Sequence, residues 1–364
     1  MKDSIFKKNF SLLFPIVLLL ITSLLDMYGA GFISNLYRHA FVRQALWVLM
    51  GFVALFMVYR INMNFLLKYS GLFYWLGCIS LLLVLFFGSS INGASSWFRF
   101  GPVSFQPSEL FKFFYLLHIS KIIEENDLPD HLLFLKILLL TFIPCILIFL
   151  EPDTGVVLMY LLMMFGLLFA SKIDIKYPLF LITSGLLALS CFFGLYFFNG
   201  DAFTKIFGVS FFYRIDRLLS FKNVSSYQLE QALIGVGSSG IFGFGLTSKK
   251  MYIPEVTTDF AFDLTILNFG LLSGILIVFI YALILYKLHR RFTLSKSKLN
   301  RAIFAGTLFM MLFQVFEHIF MNLGLTPITG ITLPFLSYGG SSLLSYFLIF
   351  GLILKITTDS SSYN

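Results

Sequence analysis

Charged side chains are scarce in this chain of 364 residues, since Asp, Glu, Lys and Arg together make up only 12% of it. Soluble domains carry roughly 25% charged residues, so this scarcity excludes an ordinary soluble fold. Hydrophobic residues reach 58%, and the mean hydropathy is +0.89. The composition therefore predicts an integral membrane protein, for which lipid is part of the solvent.

Cysteine is scarce as well. The three cysteines, Cys78, Cys145 and Cys191, lie in apolar runs at no spacing typical of metal ligands. This excludes a disulfide framework and a zinc site, and we expect three small buried hydrophobic side chains. The glycine-dense stretch 235–245 lacks a lysine at the spacing of a phosphate-binding loop, so we expect no nucleotide or nucleic-acid partner. Close helix packing or a re-entrant segment explains this stretch better.

Long apolar runs account for most of the sequence. A window of about twenty residues, the length that crosses a bilayer, finds ten candidate spans. The first begins at Phe10 with no clear cleavage site after it, so we interpret it as an uncleaved span. Because the number of spans is even, both termini lie on one side. The predicted spans are 10–31, 43–60, 69–88, 108–123, 132–150, 154–171, 177–198, 260–286, 302–323 and 339–356.

The distribution of Lys and Arg predicts the orientation of the spans. Near the span ends these residues lie mostly on the side of the N-terminus, whereas the short loops of the opposite side hold only Arg38, Arg43 and Arg99. By the positive-inside rule both termini are cytoplasmic, and the long loop at about 199–260, between spans seven and eight, is extracytoplasmic. The basic cluster 287–301 is a topology anchor, with contact to anionic membrane lipids as a second interpretation. The predicted fold is a single all-α polytopic membrane domain over residues 1–364.

Four polar segments lie on the predicted outer face: 92–109, 151–155, the long loop and 324–342. In the first segment, Pro107 suits the first turn of a helix, and Glu109 lies near the positive N-terminal end of that helix. Lys112 follows three residues later and can pair with Glu109. With Trp97 at the interface, these residues fit a plain helix start and a snorkelling lysine. They fit equally a site in which Arg99 and Lys112 bind an anionic head group.

The long loop contains a second basic group, formed by Arg214, Arg217 and Lys222. A spacing of three puts both arginines on one side of an amphipathic helix whose other side can lie in the membrane interface. A solvated basic face is the simpler interpretation. A phosphate site is the alternative, because arginine forks match phosphate oxygens.

Asp259 ends the long loop, just before an apolar span. One interpretation makes Thr257, Thr258 or Asp259 the cap of the helix that follows. Because Asp263 comes four residues later, both carboxylates share one helix face. Two carboxylates at a membrane surface could instead be a general base with a neighbour that raises its pKa, or a site for a divalent cation such as Mg or Mn.

The polar segments carry an ordered set of motifs across nearly the whole chain. They are Asn92-Gly93-Ala94 with Trp97, the run from Gly101 to Glu109, Glu151-Pro152-Asp153-Thr154-Gly155, Tyr227-Gln228, Thr258-Asp259-Phe260, and the run from Pro327 to Ser342. In this order, with ten spans and a long outer loop between the seventh and eighth, the chain resembles the SEDS family, whose members include RodA, FtsW and SpoVE. The segment Pro327 to Pro334 is more similar to the RodA-like type than to FtsW.

The resemblance implies a peptidoglycan glycosyltransferase that polymerises lipid II into glycan strands at the outer face of the bacterial cytoplasmic membrane, for cell elongation or division. The family's essential aspartate falls on Asp259, which would deprotonate the acceptor hydroxyl while undecaprenyl pyrophosphate leaves. The resemblance implies no required cofactor and a class B penicillin-binding protein as partner. The residues expected to contact substrate are Trp97, Arg99, Glu109, Lys112, Arg214, Arg217, Gln228 and Ser337.

The chain also departs from the usual pattern of the family. Members of the family commonly have His at position 257, an acidic pair at 267–268, Gln at 151 and Asn at 318. At these positions this chain has Thr257, Leu267 with Asn268, Glu151 and His318. Asp263 could partly replace the missing acidic pair. Two other functions remain as alternatives. A lipid II transporter would need polar residues through both leaflets, and an inactive scaffold would only position the transpeptidase.

Overall fold

The computed structural model describes residues 3–91, 94–101, 103–209, 211–212, 215–216 and 227–359. Helices dominate this part of the chain, as the composition predicts. In chain order they are α1 (Asp3–Ala30), α2 (Ala40–Arg60), α3 (Met63–Phe87), α4 (Pro107–Glu124), α5 (Asp130–Leu150), α6 (Thr154–Ser171), α7 (Lys176–Phe198), α8 (Gly200–Phe207), α9 (Tyr227–Ser238), α10 (Ala261–Phe269), α11 (Leu271–Leu294), α12 (Lys298–Asn322) and α13 (Gly340–Asp359).

Ten of the described helices are long enough to cross a bilayer. Nine of them, α1–α3, α5–α7 and α11–α13, also have the hydropathy of a membrane span. The tenth, α4, has 18 residues, and two of its charged side chains, Glu109 and Lys112, pair with each other inside the protein. The chain is therefore a multi-pass membrane protein with about ten spans, which confirms the prediction.

The predicted eighth span, 260–286, is wrong as a single helix. Helix α10 ends at Phe269, and α11 begins at Leu271. Between them Gly270 has a φ of 83°, in the left-handed region that favours glycine. The break has no signature in hydropathy, because the residues on both sides of it are apolar. It shortens α10 to 9 residues, so α10 is a separate element rather than the start of a span.

The glycine-dense turn at 240–245 supplies hydrogen bonds to this break. The amide of Phe244 donates to the Leu267 carbonyl at 2.9 Å. The amide of Gly245 donates to the Asn268 carbonyl at 3.0 Å. Because a bilayer offers no hydrogen bonds, an interrupted helix needs such partners inside the protein. The stretch also approaches the break closely, since the Cβ position of Gly243 lies 2.5 Å from the Gly270 amide nitrogen.

A small sheet lies between α3 and α4, and the all-α prediction leaves it out. Its strands β1 (Ser89–Ile91), β2 (Ala94–Phe100) and β3 (Val103–Phe105) are antiparallel, in the order β1-β2-β3. Trp97 pairs with Ser89, and Arg99 pairs with Ser104. The Ser96 hydroxyl donates to the Glu151 carbonyl at 3.4 Å, which ties the sheet to the turn between α5 and α6.

The helices differ in how far the protein encloses them. In the centre, α6 and α12 approach closely at Gly166, where a Cβ atom would lie 2.7 Å from the Ala305 carbonyl oxygen. At the edge, Tyr196 is the one buried residue of α7.

Cys191 lies on this edge helix and is exposed, so the prediction of a buried side chain is wrong for it. Cys78 and Cys145 are buried as predicted.

One end of the bundle carries most of the irregular structure, and we call it the loop end. It comprises the sheet, the turn at 151–153, and the segments 240–260 and 324–339. The last two of these segments are joined directly, since the Tyr338 amide donates to the Thr257 carbonyl at 2.8 Å. The sequence predicts that the loop end faces out of the cell. The predicted basic group of the long loop, formed by Arg214, Arg217 and Lys222, lies outside the described residues.

Replacing Gly270 with Ala should destabilise the fold. The new Cβ would collide with the Ile241 carbonyl, and the φ of 83° would be strained. We expect a loss of about 1–3 kcal/mol in the free energy of unfolding, measured by thermal unfolding in detergent. Gly185→Ala in α7 is the matched control, because nothing lies within 4 Å of its Cβ position. Equal stability of the two variants would contradict this account of the break.

Candidate functional site

Asp259 belongs to a tight turn at 254–260 that leads into α10. The Glu255 carbonyl accepts the amides of Thr258, Asp259 and Phe260 at 3.2, 3.0 and 3.2 Å. Glu255 itself has a φ of 52°, which is strained for a residue with a side chain. The N-cap of α10 is Phe260, without a side-chain capping hydrogen bond. The interpretation of Thr257, Thr258 or Asp259 as a helix cap is therefore wrong.

Two neighbouring elements fix the backbone on either side of the Asp259 side chain. From α12, Asn322 Nδ2 donates to the Asp259 carbonyl at 2.8 Å, and Asn322 Oδ1 accepts the Asp263 amide at 3.3 Å. From the segment before α13, the Ser337 hydroxyl donates to the Thr258 carbonyl at 2.8 Å. Ser337 also accepts the Leu333 amide at 2.8 Å. These contacts leave the carboxylate of Asp259 as the part of the residue available for chemistry.

The Asp259 side chain is partly buried beside Gly330, whose Cβ position lies 3.8 Å from Asp259 Oδ2. Burial raises the pKa of Asp259 to about 6, and the negative charge of Glu255 adds to this, while a hydrogen bond from Thr258 opposes it. A third carboxylate, Glu317 of α12, is close enough to Asp259 for their charges to interact. None of the three salt bridges in the described part of the chain involves Asp259. Such a carboxylate is suited to accept a proton near neutral pH.

Asp263 is buried more deeply than Asp259. It is fully buried in α10, and neither of its carboxylate oxygens has a hydrogen-bond partner among the residues that the structure describes. Within the same residues no three His, Cys, Asp or Glu side chains lie close enough to hold a metal ion. The cation site that the sequence suggests at Asp259 and Asp263 stays a prediction, and no step below passes through a cation.

A second polar cluster lies under the sheet, around the start of α4. Lys112 Nζ lies 2.6 Å from Glu109 Oε2, which confirms the predicted pair. Lys112 is fully buried, and its Nζ also lies 5.2 Å from the ring centroid of Tyr346 and 3.8 Å from Met159 Sδ. Removing one partner of such a buried pair costs roughly 3–5 kcal/mol, because the other charge is left without compensation.

The turn between α5 and α6 extends this cluster. Gln106 Nε2 donates to Asp153 Oδ2 at 2.9 Å, and the Gln106 amide donates to Ser341 Oγ at 3.0 Å. Burial, with the neighbouring Glu109 charge, raises the pKa of Asp153 to about 6 despite a hydrogen bond from the Val156 amide. Burial and the Asp153 charge raise the pKa of Glu151 to about 8. Glu151 is thus largely protonated at neutral pH and resembles in charge the Gln that is usual at this position.

The segment 329–331 connects the two clusters. On one side, the Cβ position of Gly155, in the first turn of α6, lies 3.0 Å from Ile331 and 3.6 Å from the Thr329 carbonyl. On the other side, Gly330 lies against Asp259. His318 Nδ1 donates to the Ile331 carbonyl at 2.7 Å and so holds the segment from α12. The segment 329–331 therefore borders both Asp259 and the first turn of α6.

The remaining predicted substrate residues are spread over the loop end. Arg99 has an exposed side chain on β2, and Trp97 on the same strand is partly buried. Gln228 lies in α9 and is partly buried, and Ser337 is buried. Arg214 and Arg217 lie outside the described residues. The structure thus joins Ser337 to the turn of Asp259, whereas Glu109 and Lys112 form the cluster at the start of α4.

Sequence reasoning missed several residues of the site. They are Glu255 and Glu317 beside Asp259, Asn322 behind it, and Asp26, which accepts hydrogen bonds from Thr265 and Asn268 of α10. Asp26 and Glu317 carried a usable signal, because an acidic residue inside a predicted span is a functional candidate by default. Asp263 is not the acid that faces Asn268, so its predicted part in replacing the acidic pair gains no support. Asn322 had no signal, since amides are common near helix ends.

Comparisons with known proteins give the family and the fold of this chain. The sequence profile of the family FtsW/RodA/SpoVE, described as cell cycle proteins, matches residues 4–362. A probable peptidoglycan glycosyltransferase FtsW of Coxiella burnetii is 31% identical over 345 residues, which cover 89% of this chain and 88% of the relative.

Solved structures share the fold. The crystal structure of the rod shape determining protein RodA of Thermus thermophilus is 26% identical, with a TM-score of 0.69 and coverage of 96% of both chains. A chain from a structure of a peptidoglycan synthase complex, on the coordination of polymerization and crosslinking, reaches a TM-score of 0.79 at 24% identity, covering 96% of this chain and 97% of that one. The chain therefore belongs to the FtsW/RodA/SpoVE family, the SEDS family that its ordered motifs resemble.

Proposed function

We propose that this protein is a peptidoglycan glycosyltransferase that polymerises lipid II, with Asp259 as the general base. Its family includes a relative named as a probable peptidoglycan glycosyltransferase, at 31% identity. The observation that carries the proposal is the state of Asp259, whose backbone is fixed on both sides and whose carboxylate has a pKa of about 6. A base with this pKa is largely deprotonated at pH 7 and still accepts a proton effectively.

In the proposed reaction, Asp259 takes the proton from the acceptor sugar hydroxyl. The hydroxyl oxygen attacks the anomeric carbon of the donor, and the bond from that carbon to the pyrophosphate oxygen breaks. Undecaprenyl pyrophosphate leaves with the electron pair, so its growing charge has to be stabilised. The polyprenyl chains remain in the bilayer, and the substrate arrives by lateral diffusion. No soluble cofactor takes part in this scheme.

Arg99 is the described cation that we assign to the pyrophosphate. Its side chain is exposed at the loop end, whereas Lys112 is enclosed and paired with Glu109. Lys112 would meet the head group only if that pair opened. Arg214 and Arg217 are further candidates from the sequence, since guanidinium groups bind phosphate oxygens in a bidentate manner.

We further propose that the loop end faces out of the bacterial cytoplasmic membrane. The bias of Lys and Arg towards the opposite side supports this orientation. A class B penicillin-binding protein is the proposed partner, because a chain of the same fold occurs in a peptidoglycan synthase complex that couples polymerization and crosslinking. The role would lie in cell elongation or in division.

Loss of the Asp259 carboxylate should abolish most of the activity. With purified protein and labelled lipid II, alone and with the transpeptidase partner, we expect Asp259→Ala to lower the rate of glycan formation about 10²–10⁴-fold. Asp201→Asn, at an exposed aspartate of α8, is the control and should keep the wild-type rate. No product from folded wild type would refute the enzyme, and equal product from Asp259→Ala would refute the base. Lipid II flipping in proteoliposomes without polymerisation would support a transporter.

The rate should fall in acid with the titration of Asp259. Because the base must be deprotonated, we expect kcat/KM to decline below about pH 6 with the slope of one proton. Glu255→Gln removes a neighbouring negative charge that raises the pKa of Asp259, so the decline should move to lower pH. Glu230→Gln, at an exposed glutamate of α9, should leave the profile in place. An unchanged profile in Glu255→Gln would contradict the proposed coupling.

Arg99→Ala should weaken substrate binding more than catalysis. We expect KM for lipid II to rise about 3–10-fold with a smaller change in kcat, and Arg99→Lys to restore part of the loss. Arg43→Ala is the matched control, an exposed arginine at the start of α2 on the same predicted face. If both alanine variants had the same KM, Arg99 would have no special role at the head group.

A further inference from the structure

Asp26 is a buried acidic residue in the first span that the proposed reaction does not use. It is 1% exposed on α1, and each of its carboxylate oxygens accepts one hydrogen bond from α10. Thr265 Oγ1 donates to Asp26 Oδ2 at 2.6 Å, and Asn268 Nδ2 donates to Asp26 Oδ1 at 2.7 Å. Hydrogen bonds to a carboxylate are stronger than neutral ones, and a buried carboxylate needs them.

Helix α10 depends on contacts of this kind for its position. It has 9 residues, lies between the turn of Asp259 and the break at Gly270, and is too short to be stable by itself. Asn322 of α12 holds its N-terminal end through the Asp259 carbonyl and the Asp263 amide. Asp26 holds its C-terminal half. The two anchors together fix where the first residues of α10, and with them Asp259, lie in the site.

The face of α1 that carries Asp26 also contacts the segment before α13. Ser23, three residues before Asp26, donates to the Leu336 carbonyl at 2.7 Å. Gln44 of α2 donates to Ser23 Oγ at 3.0 Å and to the Ser337 carbonyl at 3.3 Å. Since Ser337 in turn donates to the Thr258 carbonyl, α1 contacts both elements that meet at Asp259.

We propose that Asp26 is a positioning residue for Asp259, and that its carboxylate acts by fixing α10 against α1 through Thr265 and Asn268. Asp26 does not touch the reacting atoms. Its effect on the reaction is geometric, because displacement of a general base by as little as about 1 Å lowers the rate strongly. Lys250, at the end of the segment that packs on α10, is close enough for its charge to interact with Asp26 and is 8% exposed. The inference rests on the proposed function.

An exchange of the acid and the amide tests this pairing. Asn268→Asp places two carboxylates against each other and should lower kcat about 10-fold or more, with KM within about 2-fold of wild type. Asp26→Asn removes the charge and should lower kcat about 3-fold. The double variant Asp26→Asn/Asn268→Asp restores one acid facing one amide and should return to within about 2-fold of wild type. Recovery beyond either single variant is the signature of the pair.

The outcomes separate positioning from general stability and from the proposed function. Thr22→Val on the same helix removes a hydroxyl bonded to the Leu18 carbonyl and should keep wild-type kcat. Thermal unfolding of each variant in detergent gives the fraction of the protein that is folded. The value of kcat is then expressed per folded molecule. The inference would be refuted if the kcat of the double variant were no higher than the product of the two single-variant effects. It would also be refuted if unfolding explained the whole loss of kcat. Both results presuppose active wild type, whereas inactive folded wild type would refute the proposed function itself.

Discussion

The loop end is governed by one constraint: polar groups near lipid have to find their partners inside the protein. The break between α10 and α11 exposes backbone amides and carbonyls, and the turn at 240–245 bonds to them. The turn before α10 is held in the same way by Asn322 and Ser337. Because the side chains of Asn322 and Ser337 are buried, their hydrogen bonds are shielded from water and hold Asp259 in one place. The position of the proposed base thus follows from the need of the backbone to form hydrogen bonds inside the protein.

The two polar clusters differ in charge, and this difference suits them to different tasks. At the start of α4, Lys112 compensates Glu109, so the cluster is a stable internal support for the sheet above it. Around Asp259 the described neighbours Glu255 and Glu317 are acidic. Like charges and burial disfavour the ionised form of Asp259 and make it a stronger proton acceptor. The segment 329–331 lies between the clusters and relates their positions.

Some residues of this chain differ from the family pattern that the resemblance implies. Glu151 occupies a position where Gln is common, and burial raises its pKa to about 8, so it is mostly neutral at pH 7. Asn268 occupies part of a usual acidic pair, and its amide donates to a carboxylate on α1. The carboxylate therefore lies on α1 and the amide on α10. The chain keeps the family fold with these residues in place.

The sequence by itself determined the membrane class, about ten spans, the Glu109–Lys112 pair and the family, because composition, span length and motif order are local properties. It did not show the break at Gly270, the sheet after α3 or the partners of Asp259. These depend on residues far apart in the chain, such as Asp26 with Asn268 and Asn322 with Asp259. Only the tertiary structure decided which carboxylates are compensated by a cation and which lie beside other carboxylates, since that depends on how the helices pack.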